Sequence, residues 1–210
     1  LHIPFCEQIC PYCPYNKEIY RPDIARKYSI AVKKEIDIYS DIVGNRPVTS
    51  FYIGGGTPTT MLNSGLPDMI EYIYQKFNMQ CETHMESHPN HLSPENLDII
   101  TSMGIKYLSI GVESLQDKHL QTLRRPYKAT DVKEIINRVV NRDFRCVNVD
   151  FMFALPNQTY SEIEQAGRDL AEMGIDQVAA YPIFRFPYTK MGGNGVESIF
   201  NIPVIWKRRK

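Results

Sequence analysis

"VTSFYIGGGTPT", residues 48–59, changes character halfway along. Its first half, 48–53, is β-branched and aromatic and reads as a strand. Its second half, "GGGTPT" (54–59), suits neither the interior of a helix nor that of a strand, so the chain is expected to turn there. A strand that runs straight into a permissive loop is the first half of a βα unit, and the same cycle recurs along the chain. Residues 24–42 read as an amphipathic helix, with Ile24, Tyr28, Ala31, Val32, Tyr39 and Ile42 on a 3–4 residue period. A helix near 65–77 precedes a strand at 82–87. Ser93 as N-cap, Pro94 at N1, Asn96 at N3 and Gly104 as a stop frame the next helix. A strand at 105–110, helices near 116–123 and 130–141, a strand at 145–151, a helix at 160–173 ending at Gly174 and a strand at 176–183 complete the series. "LHIP" at the start reads as the end of a first strand.

Six strands joined by helical crossovers imply an α/β fold with a parallel sheet. An open doubly wound sheet and a partial barrel both satisfy that pattern. A full eight-unit barrel takes about 250 residues, and 210 residues with six units point to a partial (β/α)6 TIM-type barrel with parallel strands. Residues 1–185 form its core on this reading, and 186–210 an irregular or truncated tail. The chain opens without an initiator Met, already inside an apolar stretch, which reads as a trimmed start.

Composition narrows the classes. The net formal charge is zero, which argues against a nucleic acid or membrane held by bulk electrostatics. The closing "WKRRK" reads as a solvated terminus. No apolar run spans a bilayer. Five cysteines, an odd number in a chain of this size, suit a reducing compartment, and the cytoplasm is the expected location.

The unusual residues gather at the carboxyl ends of the expected strands, where parallel βα folds bind ligands. Cys6, Cys10 and Cys13 follow strand 1 at C-x3-C-x2-C spacing. "GGGTPT" follows strand 2, Glu86 and His88 close strand 3, Glu113 and Ser114 follow strand 4, Asp150 ends strand 5, and "YPIFRFP" ends strand 6. Three close thiols can wrap a polynuclear iron–sulfur centre and leave one metal position open. A zinc site completed by His2 or His88 is the alternative, since structural zinc takes four protein ligands. Consecutive glycines let backbone amides approach a polar ligand, although alone they make only a tight turn. Each strand-end acid could equally cap a helix, and Arg125 could be a solvated helix end. His84 and His88 read as strand and turn residues, and Tyr107, Phe144, Phe151 and Phe153 as core.

Four segments, "HIPFCEQICPYC", "FYIGGGTPT", "SIGVESLQDKHLQTLRR" and "VNVDFMFALPNQT", resemble the radical S-adenosylmethionine superfamily. Within it, the likeness is to the branch of oxygen-independent coproporphyrinogen III oxidase and its heme-chaperone relatives, over about residues 1–185. The resemblance implies a [4Fe–4S] cluster whose three irons are held by Cys6, Cys10 and Cys13, with S-adenosylmethionine on the fourth iron. It implies that Tyr12 lies where loop backbone contacts adenine and that Gly54, Gly55, Gly56 and Thr57 bind the methionine end. Glu86 matches a polar residue near the cofactor, Glu113 stands where the oxidase branch often has Gln, Arg125 meets the cofactor carboxylate, and Asp150 contacts the ribose. The implied chemistry is one-electron reductive cleavage of the sulfonium. The resulting 5′-deoxyadenosyl radical then abstracts hydrogen from a small or tetrapyrrole-like substrate. A reductant such as flavodoxin or ferredoxin is the implied partner. The chain departs from the oxidases at Tyr15, where they carry a further Cys two residues past the third ligand. A heme-binding chaperone and a radical methyltransferase are the alternatives. Arg185 and the aromatics around it would face the substrate.

Overall fold

The computed structural model describes residues 1–184 and 186–192. Its central sheet has six strands: β1 (His2–Ile3), β2 (Phe51–Gly55), β3 (Thr83–Ser87), β4 (Ile105–Glu113), β5 (Cys146–Phe153) and β6 (Gln177–Pro182). They lie side by side in sequence order and every adjacent pair is parallel. A doubly wound sheet reverses its order at a switch point. The unbroken order here is that of a partial barrel.

The crossovers are α1 (Pro22–Val43), α2 (Leu66–Lys76), α3 (Pro94–Ser102), α4 (Asp117–Thr122), α5 (Ala129–Val140) and α6 (Tyr160–Glu172). Their boundaries follow local chemistry. Ser93 accepts the backbone N–H of Asn96 at 3.2 Å and starts α3, as its sequence predicts. Thr159 and Glu162 close a capping box on α6. Gly104 and Gly174 take positive φ just past α3 and α6.

Strand alternation divides the sheet into two faces. Ile53, Met85, Leu108, Ile110, Val112, Val147 and Val149 point outward and are buried. Against them pack Val32 and Ile36 of α1, Ile70 and Ile73 of α2, Leu97 and Ile100 of α3, Ile136 and Val139 of α5, and Leu170 of α6. The concave face carries Tyr52, His84, Glu86, Tyr107, Ser109, Asn148 and Asp150.

Six sequence expectations need correction. The strand read at 48–53 runs from Phe51 to Gly55 and takes in two of the glycines; Pro47 and Val48 pair separately with Asn78 and Met79. The glycines enter the sheet because Gly54 and Gly55 lie opposite His2 and Ile3. The helix at 24–42 buries Ala25, Val32 and Ile36, while Ala31, Tyr39 and Ile42 are exposed. The stripe that meets the sheet is thus rotated from the expected one. Asp150 sits inside β5 rather than at its end, and Glu113 is the last residue of β4 rather than part of the following loop. Tyr107 is half-buried on the concave face, stacked on His84 with ring centroids 4.0 Å apart. Phe153 is likewise half-buried, whereas Phe151 is core.

Beyond β6, Met191 N–H donates to the carbonyl of Pro11 at 3.0 Å, so the turn at 186–192 leans on the cysteine loop. Arg185 and the basic "WKRRK" lie outside the described residues. No described helix is long and apolar enough to cross a membrane.

Candidate functional site

The carboxyl ends of the strands surround a cavity of about 880 Å³. That is within the roughly 300–1,000 Å³ usual for small-molecule sites. Cys6, Cys10, Cys13, Tyr12, Gly55, Gly56, Thr57, Glu86, Glu113, Arg125 and Asp150 all line it. Gly54 is the sequence-named residue that does not; it lies one step down the strand, under Glu86.

The cysteine loop is anchored at both ends. Phe5 and Cys6 pair in parallel with Glu18 and Ile19. Thr57 N–H donates to the carbonyl of Phe5 at 2.8 Å, and Gly56 N–H to that of Ile3 at 2.7 Å. All three thiols are free. Cys6 is buried and accepts the Thr57 hydroxyl at 3.5 Å, while Cys10 accepts Nη1 of Arg125 at 3.3 Å. Burial pushes the Cys6 thiol up, and the neighbouring Cys10 and Cys13 push it further. Three thiols held this close disfavour one another as thiolates, so cationic metal among them is the natural relief. Among the described residues, no three His, Cys, Asp or Glu side chains converge as ligands of one metal ion. His2 Nε2 is engaged with the carbonyl of Asn16 at 3.2 Å, and His88 Nδ1 accepts the N–H of Asn90 at 3.3 Å. With both histidines engaged by backbone groups, three thiols without a fourth protein ligand are the donor set of a polynuclear centre with one open position rather than of a closed zinc site.

Each glycine of the second segment is required for a different reason. A Cβ on Gly54 would lie 2.9 Å from the Glu86 carboxyl group. One on Gly56 would lie 2.9 Å from Cys6 Sγ and 2.8 Å from a backbone oxygen. Gly55 has φ of +127°, which only glycine adopts without strain. With that conformation its N–H donates to Glu86 Oε2 at 3.0 Å, and Tyr52 holds the other oxygen at 2.8 Å.

Two departures from regular geometry aim the remaining groups. The β4–β5 register shifts between Gly111 and Glu113, and Glu113 takes φ of +68°. A bulge of this kind re-aims a strand-end side chain. Here it turns Glu113 toward the hydroxyl of Tyr12, which donates to it at 3.2 Å. Burial raises the Glu113 carboxyl, and Arg125 partly offsets that. Arg125 is no solvated helix end. Helix α4 closes with Arg124 N–H on the carbonyl of Gln121 and Arg125 N–H on that of Leu120. Arg124 itself adopts φ of +54°, so the pair forms a Schellman motif without the usual glycine and delivers Arg125 to the mouth.

Asp150 accepts Ser109 Oγ at 2.9 Å and Asn148 Nδ2 at 3.0 Å. Burial raises its carboxyl, and those two donors oppose the shift. His88, beside Tyr127 and His91, is pushed down to about 2, first by burial and then by Arg125 and His91, so it is neutral at physiological pH. The sequence reading overlooked Tyr52, Ser109, Tyr127 and Asn148. Period-two alternation was a usable signal for two of them, because Ser109 and Asn148 share the face of Glu113 and Asp150. Tyr127 gave no such signal.

A parallel β/α partial barrel whose mouth gathers three thiols, a guanidinium and three acids defines a protein with a small-molecule-sized polar cavity beside a thiol-rich loop. The chain belongs to the radical SAM superfamily, whose family model matches residues 1–170. That family works with a [4Fe–4S] cluster and S-adenosylmethionine. The chain is 31% identical to the heme chaperone HemW of Bacillus subtilis, over 90% of this chain and 51% of that protein. It is 28% identical to the anaerobilin synthase of Escherichia coli O157:H7, over 93% of this chain and 45% of that one. In three dimensions it is similar to the coproporphyrinogen III oxidase HemN of Escherichia coli, a radical SAM enzyme. The TM-score is 0.82 at 25% identity, over 89% of this chain and 44% of that one. The chain thus spans about half the length of the curated relatives it matches.

Proposed function

We propose that this chain is the radical-generating part of a radical SAM enzyme of the coproporphyrinogen oxidase and HemW branch, acting on a small or tetrapyrrole-like substrate. The observation that carries the reading is the convergence of Cys6, Cys10 and Cys13 with Glu86, Glu113, Arg125 and Asp150 on one cavity. Cys6, Cys10 and Cys13 would hold three irons of the cluster. When bound, the cluster and S-adenosylmethionine together supply a one-electron cleavage that yields a carbon radical able to abstract hydrogen.

The chain's own residues bind, orient and shield. Arg125 offers a half-buried guanidinium to the cofactor carboxylate, a charge-assisted pairing. Glu86, fixed by Tyr52 and Gly55, and Glu113, fixed by Tyr12, present carboxylates to the cofactor amine. Asp150 is oriented by Ser109 and Asn148 to accept ribose hydroxyls. Backbone at Tyr12 would contact adenine, and the segment Gly54, Gly55, Gly56 and Thr57 would bind the methionine end. Flavodoxin or ferredoxin would supply the electron.

A second reading, a heme-binding chaperone, is favoured by one feature. Tyr15 replaces the Cys that the oxidases carry past the third ligand, and it stands 69% exposed at the mouth. Anaerobic reconstitution with iron and sulfide, followed by chromatography for 5′-deoxyadenosine, tests the proposal. Release that coproporphyrinogen III stimulates is expected of the enzyme. Tight heme binding with no stimulated release would favour the chaperone. Absence of any cleavage in reconstituted wild type would contradict the enzymatic reading.

A further inference from the structure

Arg125 is held by more than a cofactor-binding arginine needs. Its Nε donates to the hydroxyl of Tyr127 at 2.6 Å, Nη2 donates to the carbonyl of Gly111, and Nη1 donates to Cys10 Sγ at 3.3 Å. The guanidinium also lies over the Tyr127 ring, 5.2 Å from its centroid. Tyr127 is only 7% exposed, and its hydroxyl reaches the carbonyls of Gly111 at 2.9 Å and Val112 at 3.0 Å. Since the hydroxyl has one proton to give to those carbonyls, its lone pair remains for Arg125 Nε–H. Three of the five guanidinium N–H bonds are thereby committed. One N–H on each terminal nitrogen is left for a ligand carboxylate.

The third of these bonds has an electrical consequence. Cys6 accepts a neutral hydroxyl from Thr57, whereas Cys10 accepts a cation. Reduction adds one negative charge to an iron–sulfur centre, and hydrogen bonds to its sulfurs and nearby charge set its potential. Groups that orient such partners tune a metal site without touching it. We propose that Tyr127 is a positioning residue that, through Arg125, keeps a cationic N–H on Cys10 Sγ and so raises the reduction potential of a cluster bound there. This rests on the cluster reading given above.

The test is a dithionite titration of the reconstituted full chain, followed by electron paramagnetic resonance without S-adenosylmethionine. Dithionite supplies the single electron, and no covalent bond changes in the titrated couple. Five proteins are compared: wild type, Tyr127→Phe, Arg125→Gln, the double variant Tyr127→Phe/Arg125→Gln, and Arg125→Lys. Iron content should match wild type in all. Arg125→Gln should shift the potential furthest negative, and Tyr127→Phe should shift it less in the same direction. The double variant should equal Arg125→Gln, because Tyr127 acts only through the arginine. Arg125→Lys, which keeps the charge but cannot bridge Tyr127 and Cys10, should fall between wild type and Arg125→Gln. Should the glutamine variant fail to fold, the lysine variant carries the same comparison. An unmoved potential in Tyr127→Phe, or an equal shift in both backgrounds, overturns the inference alone. Wild type that takes up no iron and shows no chromophore overturns the cluster reading and this inference with it.

Discussion

The two faces of the same six strands obey different rules. On β4, Leu108, Ile110 and Val112 are sealed against helices, while the alternate residues Ser109, Gly111 and Glu113 take the concave face, the last two of them lining the cavity. One residue separates a core contact from a site contact. The outer face tolerates exchange of one apolar side chain for another of similar volume. The inner face depends on particular atoms at particular distances, and it needs a glycine at 55 and a strained backbone at Glu113 to place them. Stability and chemistry should therefore respond to substitutions on opposite faces.

The largest expected loss of stability is on the outer face. Ile110→Ala, at a fully buried position, should cost about 2–5 kcal/mol in urea unfolding. A cost below about 1 kcal/mol would mean that the outer face is not the core. Gly55→Ala comes next. Its Cβ would meet the His2 ring and the Ile3 carbonyl at 2.7 Å, with φ in the left-handed region. Strain of about 1–3 kcal/mol, plus displacement of Glu86, should lower the melting temperature and cofactor affinity together.

Asp150→Asn should separate the two properties. The carboxylate is half-buried and its charge is disfavoured by burial, so unfolding should change by less than about 1 kcal/mol. Equilibrium dialysis should show S-adenosylmethionine binding weakened by about tenfold or more, as expected for loss of a charged acceptor. Unchanged affinity would remove Asp150 from the site.

The smallest effect lies away from both faces, at the start of α6. Lys118 and the Thr159 backbone hold Glu162 down to about 2, against an unfolded value of about 4.3. Because the folded value is the lower one, this contribution is complete above the unfolded value and is lost as pH falls toward the folded one. Glu162→Gln should flatten the dependence of unfolding on pH between about 4.5 and 2 and leave the cluster site untouched. An identical acid limb in wild type and variant would refute the pairing.

The faces also differ in how much of them can be read from sequence. Alternation of the strands, Ser93 as a cap and Gly104 as a stop are local, and they placed the strands and helices within a few residues. The thiol spacing and the glycine run were equally local, and the structure brings both to one cavity. What escaped depends on pairing between distant segments. The inclusion of Gly54 and Gly55 in β2 is decided by β1, fifty residues away. The rotation of the α1 stripe is decided by the sheet beneath it. The bulge at Glu113 exists only in register with β5, and Arg124 closes α4 in a left-handed conformation that its side chain does not advertise. Tyr127 matters only once Arg125 is known to face Cys10.

The most direct measurement is the iron and sulfide content of anaerobically reconstituted protein, with its visible and paramagnetic spectra, in wild type and in the Cys6→Ala/Cys10→Ala/Cys13→Ala variant. About four irons and four sulfides per chain with a brown chromophore are expected of wild type, and neither in the variant. Equal iron in both proteins would contradict a thiolate-held cluster at the barrel mouth.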